Sequence, residues 1–584
     1  MDVLLDVRIP RTLDGWVREL SAQAIPGTLV EGWLFEGKAA RRRAERRLAG
    51  LGIEARLRSA YKPLVHHFLE AVERRQLAEA TVHWPVHPSA SPRRFLLEAY
   101  PLAEMLGRGT ALRFVRQDPS DALPCYRVDL RWRDGRERHD TVPAPNRSHV
   151  DFLGETLLSP CAWLRVQRTG QPPSEGPHES EHEAVFRQAV DCIRAHRWPT
   201  VEPYFERLDL RVDMHGIAHA PAHESGWMNT HEAMHEDLYF SLLEYFQRHS
   251  GRPTGDRRLQ PGQIVPDVRP GRGPARLRIT LAPLASGDAA AVADDATPLE
   301  HIASPLAPRR IADELARIPG RRFEARSREG RIVQGVHHPG DGPPVLITGA
   351  QHANETSGVV GALRAAHTLA RQGANFALVP VENPDGYALH RALCAAAPRH
   401  MHHAARYTAL GDDLEYRDAP PWFEREARMQ GLALSGAQLH LNLHGYPAHE
   451  WTRPFSGYVP RGFEAWMLPK GFFLIVRHHA GWGDRARRLA EHVCERLADR
   501  PALMAFNEKQ LASYNAHAGD LPFELIHGTA CMISEVNRPG AALTLISEFP
   551  DETIHGDPFI LAHDTQTATV LAAVEALGLI SPIP

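Results

Sequence analysis

The C-terminal half of the sequence predicts an α/β fold, and three stretches carry that expectation. Val345-Leu-Ile-Thr348 is a short apolar run between Pro343-Pro344 and Gly349, followed by helical spacing from Val359 to Leu369. Phe376 to Glu382 is a second apolar run, closed by Asn383-Pro-Asp-Gly386. Gln438 to Tyr446 alternates and ends at His444-Gly445. Strands interleaved with helical stretches build a sheet flanked by helices. The region upstream mixes helical and strand signals without that alternation and is expected to be an α+β accessory region.

Each element carries its own signals. Thr356 and Ser357 suit the helix N-cap and Gly373 its C-terminal end. His352 and Glu355 therefore sit on a strand-to-helix connection, where open α/β sheets place their ligands. Imidazole nitrogen and carboxylate oxygen are ordinary zinc donors, and catalytic zinc takes three protein ligands and one water. Asn383 to Gly386 has Pro and Gly where a turn wants them. Thr529-Ala-Cys-Met-Ile-Ser-Glu535 reads as a further apolar strand ending on a carboxylate, and the four strand ends are expected to converge on one rim.

With these residues in place, the chain resembles the zinc carboxypeptidases of the carboxypeptidase A type, the funnelin metallopeptidases, over roughly residues 305–584. Ser327-Arg-Glu-Gly-Arg-Ile332 is similar to the family's S-x-E-G-R-x-I hairpin, His352 and Glu355 to its H-x-x-E, and Asn383 to Gly386 to its N-P-D-G. His444 is similar to its third ligand and Glu535 to its catalytic glutamate. The resemblance implies a mixed, mostly parallel sheet of the eight-stranded type. It further implies one Zn2+ per chain on His352, Glu355 and His444, Glu535 as the base that activates water, and hydrolysis of a peptide or acylated amino-acid substrate.

Departures from the family pattern bear on specificity. Ala353 and Asn354 stand where the family has an arginine. Glu415 and Tyr416, in Gly411-Asp-Asp-Leu-Glu-Tyr-Arg417, stand where an Asn-Arg pair grips the substrate carboxylate. Arg417 is the candidate to restore that contact. Arg399 or Arg406 is the candidate oxyanion arginine, with Arg399 ahead on its spacing from Asn383; Tyr514 or Tyr446 is the candidate pocket tyrosine. The peptidase-like motifs favour a carboxypeptidase-like enzyme of altered specificity. His352-Ala-Asn-Glu355 also resembles the His-Gly-Asn-Glu of aspartoacylase and succinylglutamate desuccinylase deacylases. A silent binding protein on the same scaffold is the alternative of a different class.

Two other motifs look like sites. His231-Glu232-Ala-Met-His235 has the H-E-x-x-H form of a zincin. Asn229 followed by Glu232 instead reads as a capping box on an amphipathic helix. Asp213-Met-His215-Gly216 with Pro221-Ala-His-Glu224 echoes Asn442 to Gly445 and Pro447 to Glu450, which reads as coincidence.

Composition bounds the remainder. A chain of 584 residues is too long for one core. The expected division is 1–170, 178–285 and 305–584, with boundaries at Gln171 to Pro177 and in the Ala/Asp-rich stretch from Ser286 to Thr297. At a net charge of −4 there is no basic field for nucleic acid, and Arg41 to Arg47 reads as a solvated helix face. The six cysteines lack framework or zinc-ribbon spacing. The acidic, proline-containing start is unlike a signal peptide, and no apolar run approaches the roughly 20 residues of a membrane span. A cytoplasmic protein is expected. Helical periodicity covers 36–79, a hairpin is expected over Cys125 to Val142 with a two-residue turn at Asp134-Gly135, and helices near 181–195 and 230–248.

Overall fold

The computed structural model describes residues 2–219, 228–284 and 296–580. Residues 286–295 of the expected boundary, and the Pro221 to Glu224 echo, lie outside them. Among the described residues no helix is long and apolar enough to cross a membrane.

The C-terminal half is built on one sheet of nine strands, one more than expected. Their spatial order is Arg321–Arg326, Ile332–His338, Ala374–Val379, Asp341–Gly349, Leu439–Pro447, Leu543–Glu552, Phe473–His478, Thr529–Glu535 and Glu524–Ile526. Four neighbouring pairs are parallel and four antiparallel, so the sheet is mixed without a parallel majority. The central strand Leu439–Pro447 is buried at every residue, as a strand covered on both faces must be. The helices Ser357–Arg371, Gly483–Ala498 and Asp557–Ile580 cover one face with Val359, Leu363, Leu489, Val493 and Val570, which share a core with Val345, Ile347, Leu441 and Leu545.

Two family-like motifs prove to be one cross-link. Asn383 caps the helix Pro384–Ala396, its side chain accepting from Gly386 N at 2.9 Å. Asp385 in that first turn accepts from Ser327 Oγ (2.6 Å), Glu329 N (2.9 Å) and Arg331 Nη1 (2.9 Å). The hairpin before the first ligand strand is thereby tied to the turn after the next one.

The upstream region holds three four-stranded sheets. Strand Asp2–Ile9 pairs with Ala275–Ala282, joining the two stretches expected as separate accessory units in a single sheet. A strand, Glu54–Ser59, interrupts the helical periodicity of 36–79, and the strand Ser174–His178 overlaps the expected linker. The hairpin forms, but its strands stop at Trp132 and resume at Glu137, so the loop is longer than two residues.

Accessory and sheet regions share one core, in which Phe35, Phe95 and Phe246 lie with Trp451, Phe455 and Tyr458. Buried polar contacts reinforce it. Lys62 pairs with Glu450, Tyr61 Oη lies 2.9 Å from Thr452 Oγ1, and Arg453 holds Glu244 at 2.6 Å.

Candidate metal centre and active-site cleft

The strand Asp341–Gly349 ends in a sharp connection where Ala350 adopts φ +47°, a left-handed conformation uncommon for a residue with a Cβ and a frequent companion of functional sites. His352 and Glu355 follow on this connection, and His444 comes from the adjacent parallel strand. A Cβ on Gly445 would lie 1.9 Å from Asp551 Oδ1, so only glycine fits behind that histidine.

The three side chains meet as the sequence implied. Glu355 Oε1 is 2.8 Å from His352 Nδ1, Glu355 Oε2 is 2.8 Å from His444 Nδ1, and the two Nδ1 atoms are 3.1 Å apart. Donors around a tetrahedral zinc, with bonds near 2.0–2.1 Å, stand about 3.3 Å apart, so this spacing fits one cation. All three residues are buried, and no other such group of His, Cys, Asp or Glu occurs among the described residues.

Neighbouring groups orient the triad. Asp413 Oδ2 lies 3.3 Å from His352 Nε2, leaving Nδ1 to face Glu355. A carboxylate behind a histidine ligand fixes its ring and raises its basicity. Burial lowers the His352 imidazole, as does Arg406, but Glu355 and Asp413 outweigh both and its pKa lies above the ordinary value. Burial would raise Glu355, yet His352, Arg406 and His444 hold its carboxyl well below the usual range. Arg406 donates to Glu355 Oε1 at 2.6 Å.

A cavity of about 230 Å³ opens over the triad. It is lined by the aromatic residues Phe240, Tyr407, Tyr446, Trp451 and Phe463 and by the aliphatic residues Ile475, Met532 and Ile546. Arg257, Arg406 and Arg477 face it with Asp413, Glu415 and Glu548. Glu548 stands opposite His444 in the parallel register of the neighbouring strand, one strand spacing of roughly 4.8 Å away. Burial, then the charge of Glu355, push its carboxyl well above the usual range against the pull of Arg406 and Lys470.

Several expected site residues lie elsewhere. Glu535 is exposed, accepts a hydrogen bond from Asn537 at 3.2 Å and does not line the cavity. Its strand runs antiparallel to Leu543–Glu552. The register that sets Phe473 beside Glu548 sets Ala530 beside Phe473, so Glu535 is five residues, about 17 Å, along the sheet from that level. The expectation that this strand ends on the same rim is corrected by its direction. Arg399 is exposed and away from the cavity, whereas Arg406 lines it. Arg417 is consumed in a buried pairing with Asp412 (2.7 Å) and Glu424 (3.0 Å) and offers nothing to a substrate. Tyr514 is buried outside the cavity lining. Tyr446 lines the cavity, but its hydroxyl donates to Gly471 O at 2.6 Å and accepts from Lys470 N at 2.9 Å.

Glu548 is the cleft carboxylate that no motif in the sequence singles out. Leu543 to Glu552 contains a charged residue in an apolar run just as Thr529 to Glu535 does, and the only local signal is the acidic cluster Glu548, Asp551 and Glu552.

Beside Glu548, burial pushes the Lys470 amine down to about 7 despite that carboxylate. The folded state therefore binds fewer protons than the unfolded chain between about pH 7 and 10.4. This contribution is present in full above about pH 10.4 and is lost progressively as pH falls from there to about 7. Lys470→Met is expected to flatten the rise in stability between pH 7 and 9.5, as read by urea denaturation.

The site and sheet together define an α/β protein with a buried His-Glu-His triad, able to hold a metal ion, at the head of a mixed nine-stranded sheet. Over about half its length the chain matches metallo-carboxypeptidases of the carboxypeptidase A type in structure, at low identity. The metallo-carboxypeptidase of Burkholderia cenocepacia is 15% identical at a TM-score of 0.31, over 53% of this chain and 76% of its own. That of Pseudomonas aeruginosa, solved with (2-guanidinoethylmercapto)succinic acid, is 16% identical at 0.29, over 53% and 73%. Bovine thrombin-activatable fibrinolysis inhibitor, in complex with tick carboxypeptidase inhibitor, is 10% identical at 0.28, over 46% and 93%. No family model and no curated protein matches the sequence.

Proposed function

We propose that this protein is a zinc-dependent hydrolase of an amide bond, carboxypeptidase-like with altered specificity. The supporting observation is the convergence of His352 Nδ1, His444 Nδ1 and the Glu355 carboxylate, with Glu548 one strand away at the same level. The chemistry gained from zinc at this triad is Lewis acidity towards a carbonyl and acidification of water from a pKa of about 15.7 towards roughly 7.

This chain's own groups do the rest. The Glu548 carboxyl takes a proton from water and returns it to the leaving amine. The Arg406 guanidinium stands beside the triad to offset charge developing on the carbonyl oxygen. Phe240, Tyr407 and Trp451 restrict water around the reacting bond.

Specificity follows from the other arginines. Arg257 comes from the accessory region. It approaches Asp413 at 3.6 Å, beyond hydrogen-bond range, and lies over the Tyr416 ring at 5.4 Å. Arg477 approaches Glu415 at 3.6 Å. A carboxylate in the cleft could take hydrogen bonds from Arg257 that its present neighbours do not accept.

The test is a substrate panel of peptides with free and amidated C-termini and N-acyl amino acids, given to zinc-loaded protein. Hydrolysis of free-acid peptides is expected, with Arg257→Ala lowering the free-acid to amide ratio of kcat/KM by about tenfold or more, the size of a lost hydrogen bond to a charged group. Cleavage of N-acyl amino acids alone would assign a deacylase. No turnover of any member would reject the enzyme reading.

A further inference from the structure

The helix Thr230–His249 carries the H-E-x-x-H motif, and the structure gives that motif a different use. The helix is buried nearly all round, including Glu232, His235, Glu236 and Asp237. Asn229 caps it, accepting from His231 N (2.9 Å) and Glu232 N (3.3 Å). Glu232 does not complete the capping box; it turns to the sheet region.

Successive turns of this helix grip one irregular segment, residues 400–404. Asn229 Nδ2 is 2.8 Å from His400 Nε2, and Glu232 Oε1 accepts from Met401 N at 2.8 Å. Ala404 N reaches His235 Nε2 at 3.4 Å. Glu236 accepts from His403 N at 3.5 Å and pairs with His403 Nδ1. These anchors sit three or four residues apart, the spacing that places side chains on one helical face.

The gripped segment has little regularity of its own. His402 adopts φ +54°, and only the three residues His403–Ala405 form a short helical turn, on which Arg406 N bonds His403 O at 2.9 Å. Arg406 then reaches Glu355 Oε1 at 2.6 Å. A long side chain can hold one geometry only if its backbone is fixed, and a misplacement of about 1 Å near a reacting centre costs up to about a hundredfold. Burying carboxylates is costly unless they are paired; Glu236 is paired with His403, which leads into Arg406, while Glu232 divides its carboxylate between Met401 N and His449 Nε2 at 2.8 Å.

We propose that this accessory helix is a working part of the site: through Glu232, His235 and Glu236 it fixes the 400–406 segment so that Arg406 meets Glu355 and faces the cleft. Glu236 and His403 are positioning residues that act through Arg406. The inference rests on the metal-centre reading of His352, Glu355 and His444.

The test is a double-mutant cycle in the full chain. Glu236→Ala and His403→Ala are each expected to lower kcat by about 10- to 100-fold at unchanged zinc content, the scale of a misplaced group near the reacting centre. In an Arg406→Ala background neither should lower it by more than about twofold. Undiminished losses in that background, or no loss in either single variant, would overturn the proposal. If Glu236→Ala does not fold, His403→Ala breaks the same bond from the cleft side and carries the test. If the zinc-loaded parent hydrolyses nothing, the enzyme reading fails separately. The same cycle is then read in zinc affinity by chelator competition, where Glu236→Ala and His403→Ala should weaken binding only while Arg406 is present; unaltered affinity in both variants rejects the positioning role.

Discussion

Glu548→Gln is expected to lower hydrolysis by roughly two to four orders of magnitude, the contribution of a placed general acid-base. Zinc content should stay at about one per chain, since Glu548 is not in the triad. Glu535→Gln should leave kcat/KM within about twofold of the parent, because that carboxylate is exposed at the other end of its strand. Kinetics and metal analysis on the two variants decide the point together. A silent Glu548→Gln with an inactive Glu535→Gln would reverse the assignment. The physical basis is position: Glu548 shares the level and face of His444 across one parallel pairing, within a shell that includes Glu355, Arg406 and Lys470.

Removing the metal is the second large effect. His444→Ala, or chelation of the parent, is expected to abolish turnover, and added zinc should restore the chelated parent but not the variant. Loss of zinc should also lower thermal stability, because a ligand that binds only the folded state adds about 2.7 kcal/mol at a hundredfold excess over its Kd. The pH dependence has a defined sign. Ligand imidazoles must be neutral to bind metal. The His352 pKa is lowered by burial and Arg406 but raised further by Glu355 and Asp413, ending above the ordinary 6.5. As pH falls, protonation of His352 therefore competes with zinc from above that value, earlier than at an unperturbed histidine. Calorimetry with and without zinc across pH 5–8 checks both parts. Zinc affinity independent of pH through this window would contradict the ligand assignment.

Local chemistry was readable in the chain, because it depends on neighbours a few residues apart. The connection carrying His352 and Glu355 follows from short-range rules, whereas the expected turn at Asn383 to Gly386 proves to be the capped start of helix Pro384–Ala396 and the glycine behind His444 is required by Asp551, far along the chain. The placement of the carboxylate beside the triad was not readable in this way. Thr529 to Glu535 and Leu543 to Glu552 are both apolar runs with acidic residues, and which one points its acid at the triad depends on strand direction and register. Those are set by pairing between residues far apart, such as His444 with Glu548. Arg417 and Tyr514 failed as substrate residues for a related reason: Asp412 and Glu424 claim the first, and the second is buried outside the cavity lining.

The helix with the zincin-like motif shows the same division. Its existence and its cap were legible from Asn229 and the periodicity that follows, but a sequence cannot state what covers a helix face. Packing turned Glu232 and Glu236 onto residues 401 and 403, about 170 positions away along the chain. The amino-acid order thus settled the ligand types, the turns that deliver them and the α/β character of the sheet region. Tertiary packing settled which carboxylate stands beside the triad, which arginines enter the cleft and how the accessory region joins it, because each depends on contacts that no local spacing encodes.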